Sequence, residues 1–201
     1  MNTEVKQQRR NLSKERRDEI ISAFRRCVSR SGLESCSMRH IAAEAGVTQP
    51  LLSHHFGSRA KLVEALVDHV IQEYENVRKV KLASVVEMGD AESLIEFLFG
   101  GDFNEISATD KGLFLELQAA AVRDESTQAV LSSVYHQFES DITDILSKLH
   151  PNSSSSKCEA VAHALVCMAE GFDMFQAANL RQMTEIDIRD CARAMLLSLV
   201  K

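Results

Sequence analysis

The sequence predicts an all-α chain of about nine helices. Three observations carry that reading. The 201 residues hold only two prolines and eight glycines. Apolar residues recur every three or four positions, the period of a helix with one buried face. No run alternates apolar and polar residues as a half-buried strand would.

The length suffices for one sizeable core or two modest ones. No apolar stretch nears the ~20 residues that a membrane span needs. The N-terminus lacks a signal-peptide core, so a cytoplasmic protein with no membrane partner is expected. Five cysteines (Cys27, Cys36, Cys158, Cys167 and Cys191) make an odd number, without a C-x-x-C pair. They read as small buried residues of a reducing compartment, with no cationic neighbour to mark a redox sensor. A Gly-rich phosphate loop and a G-x-S-x-G nucleophile turn are both missing, and the carboxylates are spaced like surface groups. No enzyme, cofactor or metal is therefore expected.

Along the chain, residues 1–12 are polar and read as a disordered basic tail. Lys6, Arg9 and Arg10 are either solvated or an arm that adds phosphate contacts. The first helix is predicted from about Lys14 to Ser31, capped by Ser13 and stopped by Gly32, with Ile20, Phe24, Cys27 and Val28 on its inner face.

The stretch Ser37–Leu62 then organises the chain. Ser37 can cap a short helix whose buried stripe is Ile41, Ala42 and Ala45. Gly46 supplies a turn, Thr48 caps the next helix, and Pro50 is tolerated in its first turn. Leu52 and Phe56 point inward, Gly57 ends the helix, and Ser58 caps the one that follows. Ala42, Gly46 and Leu52 fall at i, i+4 and i+10: a small residue at a close crossing, a glycine turn and an apolar anchor. A DNA-binding helix-turn-helix needs that spacing. Gln49, Pro50, Ser53 and His54 share its outward side. Gln pairs with adenine, and Ser or His reaches base edges or phosphates. His55 reads equally as a core histidine or a phosphate donor.

Charge supports this reading. Residues 1–60 hold 11 Lys and Arg against 6 Asp and Glu, whereas residues 61–201 hold 12 against 23. A basic head on an acidic body fits phosphate binding at one end only.

The segment GVTQPLLSHHFGSRAKL resembles the recognition segment of TetR-like repressors, and the resemblance covers about residues 13–67. It implies a three-helix DNA-binding domain at 1–57 and a helical ligand-binding and dimerisation domain at 58–201. It further implies phosphate contacts from Arg39, Arg59 and Lys61, and the cap residues Ser37 and Thr48 are counted with them as DNA-binding. In the family the position of Ser53 is often Tyr, and that of Arg59 usually Lys.

The fourth helix, about Arg59 to Val86, carries Leu62, Val63, Leu66, Val67, Val70, Ile71, Tyr74 and Val77. It contributes to both domains and is the natural lever between effector and DNA. Further helices are predicted at about 91–99, 111–123, 126–149, 156–179 and 185–200. On the eighth, Val161, Leu165, Met168, Phe172 and Phe175 form a large stripe beside a row of small residues, Ala160, Ala164, Cys167, Gly171 and Ala178. The ninth carries Ile188, Cys191, Ala192, Met195, Leu196 and Leu199. Two helices apolar over this much circumference need more cover than one core gives. The expected cover is a second copy, through Ala160, Ala164, Cys167, Gly171, Ala178, Cys191, Met195 and Leu199.

Residues 94–142 resemble the regulatory half of the BetI-like branch, whose named members answer to choline. A quaternary ammonium is held in an aromatic cage. This chain has no Trp and two Tyr, whereas its nine Phe fit a more apolar effector. Phe97, Phe103, Phe114, Gln118, Phe138 and Phe172 are the pocket candidates, with Gln118 as polar anchor. The expectation is a homodimeric repressor of a pseudo-palindromic operator on double-stranded DNA, released by a small apolar effector. The alternative is the same DNA-binding head on a body that takes no effector.

Overall fold

A computed structural model describes residues 2–100, 111–180 and 185–200. Phe103 lies outside them, as do the side chains of Lys6, Arg9 and Arg10. Helices, with no strand among the described residues, make up the fold. They are α1 (Asn2–Ser31), α2 (Met38–Glu44), α3 (Gln49–Phe56), α4 (Arg59–Met88) and α5 (Ala91–Phe99). Then come α6 (Lys111–Ala121), α7 (Glu125–Leu149), α8 (Ser155–Ala177) and α9 (Glu185–Leu197), with a closing 3-10 turn at Ser198–Val200.

The beginning of α1 corrects the expected disordered tail, because the helix runs back to Asn2. Residues 2–12 are Glu, Lys, Gln and Arg-rich and hold neither Pro nor Gly. A helix that packing has nucleated downstream therefore meets nothing that stops its propagation.

The chain divides into two compact units, residues 1–72 and 73–201, so that α4 gives its first half to one and its second half to the other. In the first unit Ile20, Phe24 and Val28 of α1 are buried with Ile41, Leu52 and Phe56 and with Leu62, Leu66 and Val70 of α4. Helices as short as α2 and α3 are unstable alone, and this shared apolar cover supplies what their own hydrogen bonds do not.

In the second unit α7 and α8 pack along each other, α6 lies against both, and α9 packs on α5 and α8. Leu94, Leu98, Ile142, Leu146, Leu165, Ala169, Ala192 and Leu196 are among its core residues. Asp124 caps α7: its carboxylate accepts from the Thr127 backbone N–H at 2.7 Å and from two hydroxyls, and its pKa falls to about 2. Arg193 holds Glu92 with Nε at 3.0 Å, tying α9 to α5.

Two apolar stripes differ from expectation. Val77 is 39% exposed, and Arg78 next to it is fully buried. Arg78 Nη2 lies 3.3 Å from Asp141 Oδ2, and its guanidinium stacks over the Phe138 ring at 5.3 Å. On α8, Phe175 is 43% exposed and Ala162, Val166 and Ala169 complete the buried face instead.

Candidate functional site

The head is set by local bonding. Ser37 Oγ caps α2, accepting from the His40 N–H at 3.2 Å. At the other end Gly46 has φ +64°, Val47 N–H reaches Ala42 O at 2.9 Å, and Gly46 N–H reaches Ala43 O at 3.2 Å. This left-handed closure reverses the chain in the fewest residues, and a side chain at Gly46 would strain it. Thr48 Oγ1 caps α3, accepting from Leu51 N–H at 3.3 Å. Ser37 and Thr48 are thus caps first, with their hydroxyl hydrogens still able to donate to a phosphate.

On α3 Leu52 and Phe56 are buried, Gln49, Pro50 and His54 are exposed, and Ser53 and His55 are half-buried. Of the outward edge expected from sequence, Gln49, Pro50 and His54 face solvent and Ser53 does so only in part. Leu51, 38% exposed, adds an apolar side chain that the sequence reading missed. Its position directly after Pro50, on the outer turn, was the available signal. An apolar group there suits a thymine methyl.

Arg17 of α1 fixes the far end of α3. Its guanidinium donates to the His55 carbonyl and lies 4.2 Å from the centre of the Phe56 ring. A cation on a helix's terminal carbonyls also complements the helix dipole. Burial, then His54, Arg17 and Arg16, hold the His55 imidazole below its usual value. Arg26 Nε meets Glu44 Oε1 at 2.9 Å, and Arg30 takes the other oxygen, so α2 is clamped to α1.

Arg39 and Lys61 are exposed, as phosphate contacts require. Arg59 is not placed as expected. Its Nε donates to Cys36 O at 3.1 Å and its Nη2 to Leu33 O at 2.6 Å. Those carbonyls end the link between α1 and α2, and a half-buried guanidinium satisfies them instead of facing solvent.

A second cluster lies in the body. Gln118 Nε2 on α6 donates to Tyr135 Oη on α7 at 2.8 Å and to Glu170 Oε2 on α8 at 3.2 Å. The Tyr74 and Phe114 rings meet at 5.5 Å. Burial first, with Asp173 adding to it, raises the Glu170 carboxyl above its usual range. Burial likewise pushes both tyrosines up, with Glu170 the next cause. Gln118 thus joins a polar network across three helices whose other members the sequence reading did not select. Phe97, Phe138 and Phe172 are buried in the core, with Phe97 edge-on to Phe138 at 6.3 Å, and Phe114 is half-buried.

The third set is on α8 and α9. Ala160, Cys167, Ala178 and Cys191 are exposed, and Ala164, Gly171 and Met195 are half-buried. Leu199 departs from it: at 4% exposure it belongs to the chain's own core, because the closing 3-10 turn rotates it inward.

Among the described residues no group of three or more metal-binding side chains is placed to hold an ion, and no helix is long and apolar enough to cross a membrane.

Comparison with known proteins agrees with the helix-turn-helix head and the all-helical fold. Residues 20–66 match the family model of bacterial regulatory proteins of the tetR family. A BetI HTH-type transcriptional regulator from Escherichia coli is 20% identical over 158 residues, 78% of this chain and 79% of that one. Against other Escherichia coli BetI regulators the matched region spans about half the length of either protein. A Rhodococcus structure described as a TetR-family transcriptional regulator is 23% identical with a TM-score of 0.71, covering 93% of this chain and all of that one. A Saccharomonospora viridis structure, described as a transcriptional regulator in complex with choline, is 14% identical with a TM-score of 0.72, covering 91% of this chain and 96% of that one.

Proposed function

From the premise that this chain is a TetR-like transcriptional regulator with a helix-turn-helix DNA-binding head, we propose that it is a homodimeric repressor relieved by a small molecule. The observation that carries the DNA reading is α3: buried Leu52 and Phe56 anchor it, and Gln49, Pro50 and His54 face out with the half-buried Ser53. Two copies of that edge enter successive major grooves, ~34–36 Å apart, on a pseudo-palindrome. Arg39, Lys61 and the free hydrogens of the two cap hydroxyls hold phosphates. Selection of bound duplexes from a random pool tests this. It should return two inverted half-sites, and a pool that returns no preferred sequence at low salt refutes it.

The second copy seats on the α8 and α9 face. Gly171 supports this pairing. A Cβ there would meet nothing within 4 Å in its own chain, so no contact inside the chain requires glycine, whereas a closely crossing helix would.

The effector occupies the Gln118–Tyr135–Glu170 cluster and favours a conformation that binds the operator poorly. Affinity falls by the effector's binding difference between the two conformations. Sequence alone favoured an apolar effector. A desolvated carboxylate beside aromatic rings instead supports one with a cationic end, because an opposite charge offsets that burial. Choline in the Saccharomonospora viridis structure is in keeping with it. Choline is expected to raise the melting temperature, its neutral isostere 3,3-dimethylbutanol is not, and Glu170→Gln abolishes the difference. Equal stabilisation by both compounds would refute the cationic reading and leave the DNA reading intact.

A further inference from the structure

Cys167 and Cys191 are the two exposed cysteines, and their surroundings differ. Cys167 Sγ lies 3.6 Å from Nε2 of His163, one helical turn earlier on α8. His163 Nδ1 lies 2.7 Å from Glu139 Oε1 on α7. An ionised carboxylate only accepts hydrogen bonds, so Nδ1 carries the hydrogen. In the neutral ring Nε2 is then left as an acceptor facing the thiol. A nucleophile, a base within reach and a third group orienting that base are the parts of an activated nucleophile. Among the described residues Cys191 has no histidine placed beside it in this way.

We propose that Cys167 is a modification site that exchanges with small disulfides, and that the adduct governs pairing of two copies. As Sγ attacks one sulfur of R–S–S–R, its proton passes to His163 Nε2. A bond forms between Sγ and the attacked sulfur, and the R–S–S–R bond breaks. The departing thiolate then takes the proton from Nε2 and leaves as R–SH. Cys167 is oxidised, half of the small disulfide is reduced, and no other oxidant enters. Thiol exchange develops no oxyanion that would need fixed donors, and the His163 side chain is 66% exposed. The site therefore suits thiol exchange.

The consequence for assembly rests on the homodimer reading. Cys167 sits in the row with Ala160, Ala164 and Gly171, where small side chains let another helix approach. A glutathionyl group there occupies the space that the second copy needs.

The test treats the native full chain with glutathione disulfide at a dilution where it elutes as monomer, so that the α8 and α9 face is uncovered, and follows each cysteine by peptide mass spectrometry. Cys167 is expected to form its mixed disulfide at least about tenfold faster than Cys191, because a base beside the thiol raises its thiolate fraction. His163→Gln should remove that advantage while leaving the Cys191 rate and the melting temperature unchanged. Equal rates for the two cysteines, or a Cys167 rate that His163→Gln leaves as it was, overturn the site. The modified chain is expected to elute as monomer where the unmodified chain elutes as dimer. A modified chain that remains dimeric overturns the link to assembly. An unmodified chain that is monomeric throughout refutes the dimer reading itself, and the exchange rates still decide the thiol.

Discussion

Gln49 begins α3 with an exposed side chain and no structural duty in its own chain that would hold it back. Its amide offers both a donor and an acceptor, the pair that adenine's major-groove edge matches. Gln49→Ala should therefore relax preference at one base pair of each half-site, costing ~1–3 kcal/mol there. Binding competition against duplexes substituted at single positions measures this, and uniform weakening on all sequences would show that Gln49 reads no base. His55, four residues before Arg59, makes a different prediction. Its imidazole is held below the ordinary value of 6.5, chiefly by burial. The folded head thus takes up this proton less readily than the unfolded chain. That contribution to stability is complete above the unfolded value and is lost as pH falls through it toward the folded value. Melting temperature should drop between pH 7 and pH 5, and His55→Gln should flatten the drop. Glu44, held low by Arg26 and Arg30, titrates below its ordinary 4.5 and outside that window.

The elements of this chain were legible where their causes are local. Ser37, Thr48, Gly46 and Gly57 set the bounds of α2 and α3 through bonds to residues within five positions. Long-range causes were not legible. A cation in the stripe of α4 reads as outward, and Asp141, Phe138 and the Val134 carbonyl of α7 make Arg78 an inward residue. The same holds for the candidate sites: Gln118 stood out as polar among apolar neighbours, but Tyr135 and Glu170 join it only once α6, α7 and α8 are packed. For α8 the row of small residues was visible, and the structure adds that it faces outward. Gly171→Leu tests what covers it. In an isolated helix leucine replaces a poor helix former and should stabilise by up to ~1 kcal/mol. In a close helix crossing the same side chain should prevent pairing. We expect a chain that melts no lower as a monomer yet elutes at half the native mass. An unchanged dimer would place the interface elsewhere.

Across the whole molecule charge is divided: the first 60 residues carry an excess of Lys and Arg, and the remainder carries an excess of Asp and Glu within a net −6. Net charge alone would argue against a DNA partner, and the division argues for one, because only the head gains by approaching phosphates. Not every cation in the head counts toward that gain. Arg17, Arg26, Arg30 and Arg59 already serve the chain's own carbonyls or Glu44. Arg39 and Lys61 stand exposed, and the proposed phosphate contacts are theirs. If each neutralises one phosphate per half-site, the two release counterions from four phosphates of a dimer's site and contribute about −4 to the slope of log K against log salt. Arg39→Ala removes one phosphate contact per copy and should flatten that slope by about 2. It should weaken binding alike on the preferred duplex and on scrambled ones, since a phosphate contact carries no base preference. Arg59→Ala should behave in the opposite way: the slope stays, and the melting temperature falls because two carbonyls lose their donor. Titrating duplex binding against salt for the native chain and both variants separates these outcomes. A slope that Arg59→Ala flattens and Arg39→Ala does not would assign the phosphate contact to Arg59 after all, and with it a rearranged link between α1 and α2 on DNA.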